Sequence, residues 1–285
     1  MRSVTLDAPA KINLYLDVLS KRKDGYHNIA TIFQKIELSD TVRVSIIKKG
    51  ISVTCNHPHA PEGRTNLAYK AASLMLKEFK INTGLSISIK KKIPVAAGLG
   101  GGSSDAASVI LAIDKLFKLK LKRPRLIRLA KEIGADVPFF VSGYNCAIGR
   151  GIGERLRELK HPYIMYILLI IPRIKIYTKT IYSKIRLPLT KHTSSANMIA
   201  RILSGRKGTR KLAGSLYNRL EDIVLPLYPL ARKVRDELSF YTDGVLLSGS
   251  GPSIFGVFNS RKEAMAARKS VKRGPKRQLF LTRTI

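Results

Sequence analysis

Ile93-Pro94-Val95-Ala96-Ala97-Gly98-Leu99-Gly100-Gly101-Gly102-Ser103-Ser104-Asp105-Ala106-Ala107 joins an alternating strand pattern to a strongly patterned helix. Four of the five residues at 98–102 are glycine, so backbone N–H groups can approach and surround an anion, and the helix that follows aims its positive end at the same point. This composition predicts a phosphate cradle. It is not a Walker A loop, which would end in Gly-Lys-Ser/Thr. Nor is it a dinucleotide fingerprint, because no acidic residue closes a βαβ unit about 20 residues further on.

Outward from the loop, strands and helices alternate. Residues 10–18 put Ile12, Leu14, Leu16 and Val18 on one face and Lys11, Asn13, Tyr15 and Asp17 on the other, the period of a half-buried strand. Further strands are predicted over 41–47 and 85–89, and helices over 66–79, 103–117 and 124–133, the last with Pro124 in its first turn and Gly134 beyond its end. After residue 158 the pattern restarts. A strand over 164–171 is followed by short helices over 179–185 and 196–203 and a longer one over 226–238. Strands over 244–247 and 253–258, a helix over 261–272 and a strand over 278–282 then complete a split βαβ arrangement with inserted helices. The fold class is α/β (α+β), with domains expected at 1–158 and 159–285.

The chain has 285 residues and 45% hydrophobic content, enough for a substantial core. Lysine and arginine number 52 against 19 acidic residues, a net charge of +33 that calls for anionic partners. The charge is uneven. Residues 160–219 hold 13 basic residues and no acidic one. A basic RNA-associated protein is the second reading, of a different class, but no RRM, KH, zinc-finger or helix-turn-helix signature accompanies the charge. Cys55 and Cys146 lie far apart without metal spacing, which suits a reducing compartment. The apolar run 164–171 is far short of the roughly 20 residues a membrane helix needs. With patterned sequence beginning almost at the N-terminus and no signal-peptide pattern, the expected location is the cytoplasm.

The glycine loop, together with Pro9-Ala10-Lys11-Ile12-Asn13-Leu14 and Leu247-Ser248-Gly249-Ser250-Gly251-Pro252-Ser253, resembles the three signature motifs of the GHMP kinases, in the family's order and spread over nearly the whole chain. Asp24-Gly25-Tyr26-His27, Thr65-Asn66-Leu67 and Gly134-Ala135-Asp136-Val137-Pro138-Phe139-Phe140 resemble the branch of that family acting on a cytidine diphosphate ester. The resemblance implies a two-domain GHMP fold. It also implies transfer of the ATP γ-phosphoryl group to the 2-hydroxyl of the small-molecule substrate 4-diphosphocytidyl-2-C-methyl-D-erythritol, with Mg²⁺ accompanying the nucleotide. Another small-molecule kinase of the family is the alternative.

Under that resemblance Pro94, Ala96, Ala97, Gly98, Leu99, Gly100, Gly101, Gly102, Ser103 and Ser104 hold ATP, with Asn66 contributing to the adenine pocket or capping its helix. A hydroxyl attacking phosphorus needs a base and charge neutralisation. Asp136, in a turn before Val137-Pro138, is the best base, and Lys11 is placed to keep it ionised and to stabilise the transferred group. Asn13 is assigned to substrate hydroxyls. Tyr26 and His27 follow an Asp-Gly turn, which sets them at a loop edge where a ring can stack on cytosine and an imidazole can read its edge. The second aromatic is Tyr182 or, failing that, Tyr177, with Thr178 nearby. No carboxylate pair stands out as a metal site, leaving Ser103 or Ser104 as a hydroxyl ligand. The role of Asp105 is open, and the assembly is expected to be a monomer or a homodimer.

Overall fold

The computed structural model describes residues 2–61, 63–186, 195–205 and 208–285. In chain order the elements are β1 Ser3–Lys21, β2 His27–Ile47, β3 Ile51–Cys55, α1 Leu67–Glu78, β4 Gly84–Lys90, α2 Gly101–Leu116, α3 Arg123–Lys131, α4 Val137–Val141, β5 Cys146–Arg150 and β6 Arg155–Glu158. These are followed by β7 Tyr166–Pro172, α5 Thr178–Ser183, α6 Ala196–Ser204, α7 Gly208–Ala213, β8 Tyr217–Asn218, α8 Glu221–Leu227, α9 Pro229–Ser239, β9 Val245–Leu247, β10 Ile254–Phe258, α10 Arg261–Ser270 and β11 Arg277–Arg283. No described helix is long and apolar enough to cross a membrane.

One sheet has the strand order β3-β4-β2-β1-β8, with the β5–β6 hairpin attached to β2. Strands β3 and β4 are parallel and joined through α1, so they form a crossover unit. The second sheet runs β11-β7-β10-β9 with antiparallel neighbours. This is the strand order of a split βαβ, as the segment pattern after residue 158 predicts.

The chain condenses into two compact units that are not consecutive halves. The first is built from Met1–Ala10, Leu38–Val95 and Gly100–Tyr144, with α2 packed on α1 and α4 packed on both α2 and α3. The second comprises Lys11–Glu37, Ala96–Leu99 and Asn145–Ile285. Its core gathers Leu16, Val18 and Ile29 with Leu168, Ile170, Val234, Leu238 and Phe258. The end of β11 lies beside β2: Thr284 bridges Ile36, and Arg283 Nε donates to Glu37 Oε1 at 2.6 Å.

Several expectations need correction. β1 is longer than predicted, and its polar face is enclosed as well as its apolar one; Lys11, Asn13 and Tyr15 are all buried. The period-two pattern therefore marks a polar row inside the protein. The helix expected over 226–238 is two helices. Tyr228, preceding Pro229, takes φ −126° and ψ 84°, because the proline ring disfavours helical backbone in the residue before it. α2 begins at Gly101 rather than Ser103, since glycine can enter a first turn whose amides make no intrahelical bonds. The short strands β3, β5 and β6 lie in segments with no predicted element.

Candidate active site

The loop between β4 and α2 holds Ala96, Gly98 and Gly100 at φ +55°, +76° and +70°. Gly100 caps α2 in the left-handed region without a side chain, so the N–H groups of the first turn are left for a ligand. The loop crest, 96–99, belongs to the second unit and is bonded there on two sides. The Lys11 N–H donates to Leu99 O at 2.9 Å, the Ser253 N–H to Ala97 O at 3.3 Å, and Ser248 Oγ to Gly98 O at 3.0 Å. The three sequence motifs thus converge on one point.

Beneath that point lies a polar chain. Lys11 Nζ, on a side chain only 4% exposed, donates to Asn13 Oδ1 at 2.6 Å. Asn13 Nδ2 then donates to Thr31 Oγ1 at 2.8 Å, and Thr31 Oγ1 to Tyr15 O at 2.7 Å. The ammonium also stands 5.5 Å from the centre of the Phe33 ring. A Cβ built on Gly249 would lie 3.5 Å from Lys11 Nζ and 3.7 Å from Asn13 Oδ1, ordinary contact distances that set the glycine turn beside the dyad, while its φ of +57° is what favours glycine there. Asn218 Nδ2 ties this turn down, donating to Leu247 O at 2.8 Å and Gly249 O at 2.7 Å. Thr31, a lone polar residue in an apolar run, and Asn218, in the mixed segment Leu216-Tyr217-Asn218-Arg219-Leu220, carry no sequence signal. Asn218→Ala should strip two buried carbonyls of their donor and cost about 1–3 kcal/mol, measured by urea unfolding. An unchanged midpoint would show the turn holding itself.

Asp136 falls in the first unit, at the N-cap of α4, half-buried and with its side chain not used as a cap. Asn66 caps α1: Oδ1 accepts from the Ala68 N–H at 2.9 Å and Nδ2 donates to Pro61 O at 2.8 Å. The second N–H of that amide can still serve a ligand. Among the expected hydroxyl ligands, Ser103 is half-buried, whereas Ser104 is buried with its Oγ unpartnered among the described residues. No described group of three or more His, Cys, Asp or Glu side chains could hold a metal ion by itself.

Tyr26 is exposed on the turn that Asp24 forms by accepting from the Tyr26 N–H at 3.1 Å. His27 departs from the expected loop edge. It opens β2 as a buried residue, its ring 5.3 Å from that of Tyr182 in α5. Burial, with the charge of Lys21, lowers its pKa and keeps the imidazole neutral. Thr178, the first residue of α5, shares a 2.8 Å hydrogen bond with Ser250 Oγ, linking α5 to the glycine turn. Tyr177 is exposed, with Lys175 Nζ 4.9 Å from its ring centre. The structure therefore puts Tyr182 against His27.

Two charged residues absent from the sequence-derived site complete the picture in the first unit: Asp40 and Lys91 join Asp105 in a buried cluster. Burial and the neighbouring Asp40 push the Asp105 carboxyl up to about 7, against the pull of Lys91.

The model of the GHMP kinases N terminal domain matches residues 66–144, and that of the GHMP kinases C terminal matches 203–276. The 4-diphosphocytidyl-2-C-methyl-D-erythritol kinase of Acetivibrio thermocellus is 39% identical over 286 residues, covering 100% of both chains. A crystal structure of a 4-(cytidine 5'-diphospho)-2C-methyl-D-erythritol kinase superposes with a TM-score of 0.81 at 34% identity, over 99% of each chain. The homoserine kinase of Cytophaga hutchinsonii shares the fold at 18% identity, with a TM-score of 0.76 over 99% of this chain and 95% of that one. On its full-length identity and its geometry, the chain belongs to the GHMP kinases, in the family of the 4-diphosphocytidyl-2-C-methyl-D-erythritol kinases.

Proposed function

We propose that this kinase transfers the γ-phosphoryl group of ATP to the tertiary 2-hydroxyl of 4-diphosphocytidyl-2-C-methyl-D-erythritol, giving the 2-phosphate and ADP in the non-mevalonate route to isoprenoid precursors. The observation that carries this reading is the convergence of the loop crest, the Lys11–Asn13 dyad and the glycine turn around Gly249. In it the loop amides hold the phosphates, and Asp136 takes the proton of the attacking hydroxyl. Lys11 offsets the negative charge of the transferred group, and Asn13, oriented by Thr31, holds the acceptor hydroxyls. Residues 1–158 then carry the ATP loop, and 159–285 complete the substrate side, to which Asn13, Tyr26 and His27 also belong. The free thiols of Cys55 and Cys146 suit work in the cytoplasm.

Mg²⁺ accompanies ATP in this reading. With few protein carboxylates to offer, the site suits a hard cation held mainly by phosphate oxygens and water, and the Ser103 hydroxyl has the right donor chemistry. The ion supplies charge neutralisation on the phosphates.

Exposed Tyr26 offers a face to cytosine, and neutral His27, steadied by Tyr182, offers one nitrogen as donor and one as acceptor to the base edge. Tyr26→Ala should cost about 1–3 kcal/mol of substrate binding, as for one lost aromatic–base stack, and Tyr26→Phe should keep most of the affinity. His27→Ala should narrow the preference for cytidine over uridine diphosphate ligands. Titrations with both ligands check this, and equal affinity of the wild type for the two would reject cytidine recognition. The assignment itself is tested by assaying ATP and Mg²⁺ with the cytidine substrate, homoserine and mevalonate. Turnover of either of the latter two in preference to the first would overturn it.

A further inference from the structure

The two flanks of the glycine loop meet on one buried charge cluster. Lys91, just beyond β4, donates through Nζ to Asp40 Oδ2 at 2.5 Å and to Asp105 Oδ2 at 2.8 Å. The three side chains are 5%, 0% and 6% exposed. Asp40, on β2, uses its other oxygen to accept from the backbone N–H groups of Lys92 at 2.6 Å and Ile93 at 2.8 Å. One carboxylate therefore holds the strand-side flank of the loop, directly before Pro94. Asp105, in α2, holds the helix-side flank, and the Lys91 ammonium joins the two across the loop's base. A Cβ on Gly101 would lie 3.1 Å from Lys91 Nζ and 3.0 Å from Ile93 Cγ2, so the first turn of α2 rests directly on this cluster.

Such a cluster is expensive. Taking three ionisable groups out of water gains little stability over well-packed apolar side chains of similar volume, while removing the shared Lys91 ammonium would leave two buried carboxylates uncompensated. What it supplies is directional: charge-assisted bonds that fix the spacing between β4 and the start of α2 more tightly than apolar packing does. We infer that Asp40, Lys91 and Asp105 are positioning residues for ATP, clamping the two ends of the phosphate loop at the separation that aims the first-turn amides of α2 at the nucleotide phosphates. This rests on the reading of residues 94–104 as the ATP cradle. Lys91 also cancels negative charge that two carboxylates would otherwise place beneath an anion site.

The test is ATP affinity by calorimetry, alongside affinity for the cytidine substrate and thermal unfolding. Asp105→Ala should weaken ATP by about tenfold, the loss expected when one charge-assisted hydrogen bond no longer aligns the loop. The cytidine substrate should bind as in the wild type. Asp105→Asn, which still offers Lys91 a carbonyl oxygen, should restore ATP affinity to within about threefold. The triple variant Asp40→Asn, Lys91→Met, Asp105→Asn removes every buried charge at nearly constant volume and should fold with a Tm near that of the wild type while still binding ATP about tenfold more weakly. A folded triple variant with wild-type ATP affinity would overturn the inference and make the cluster purely structural. Gly98→Val is the reference for the cradle itself. If it too binds ATP normally, the cradle reading fails and the clamp falls with it; if it alone loses ATP, only the clamp is wrong.

Discussion

Asp136→Asn is expected to lower kcat by at least about 100-fold, the usual contribution of a general base, and to leave ATP affinity nearly unchanged. The amide keeps the size of the side chain and its place at the start of α4, but it cannot take the proton of the attacking hydroxyl. Asp136 does not cap α4 through its side chain, so the start of that helix does not depend on the carboxylate. Lys11→Met should also reduce kcat while preserving the packing of the aliphatic stem. Its ammonium is buried and bonded to Asn13, so the replacement additionally leaves Asn13 Oδ1 without that donor. If the lysine and the aspartate act as one unit, the double variant falls no further than the worse single variant. Steady-state rates of the three variants decide it. An Asp136→Asn enzyme near wild-type activity would remove the base from the mechanism, and multiplying defects would dissolve the pair.

The second large effect is expected at Gly98. Its φ of +76° already disfavours any L side chain, and a Cβ there would collide with Ser248 O and come within 2.9 Å of Gly251 O. Both obstacles are backbone atoms of the glycine turn, itself held by Asn218, so the loop crest must move instead. Gly98→Val should therefore lower kcat/KM for ATP by about 100-fold, the scale of an ångström-sized misplacement. Gly50 offers the control. It has φ +84° with nothing within 4 Å of a built Cβ, so Gly50→Ala carries comparable backbone strain with no collision and should retain wild-type kinetics. Equal losses in the two variants would trace the defect to backbone strain alone.

The sequence is legible where local patterning and long-range role coincide. The glycine loop and its helix announce themselves within about thirty residues, and each strand and helix of the β-α-β-β-α-β order does so by its own local periodicity. What escapes is whatever tertiary contact decides. Lys90-Lys91-Lys92 are three identical side chains at the end of β4, and only contact with Asp40 and Asp105 takes Lys91 out of solvent. Asp40 resembles any polar residue in a strand. His27 follows a turn signal that predicts exposure, yet β2 begins with it and its ring turns onto Tyr182. The polar row of β1 reads as a wetted face because alternation reports which residues share a side, and is silent on what covers that side.

The placement of β11 beside β2 sets a timetable for synthesis. All segments of the first unit have been made once residue 144 has left the ribosome, so that unit can close while translation continues. The second unit cannot. Its opening segment, Lys11–Glu37, needs β7, β10 and the end of β11, where Gln34 Nε2 donates to Ile285 O at 3.3 Å and Ile36 bridges Thr284. Contacts some 250 residues apart are slow to close, and the unpaired stretch of β2 is exposed to wrong partners in the meantime. The unit that carries Lys11 and Asn13 thus closes only once β11 has been made, and a nascent chain paused before β11 holds every segment of the first unit beside an open second one.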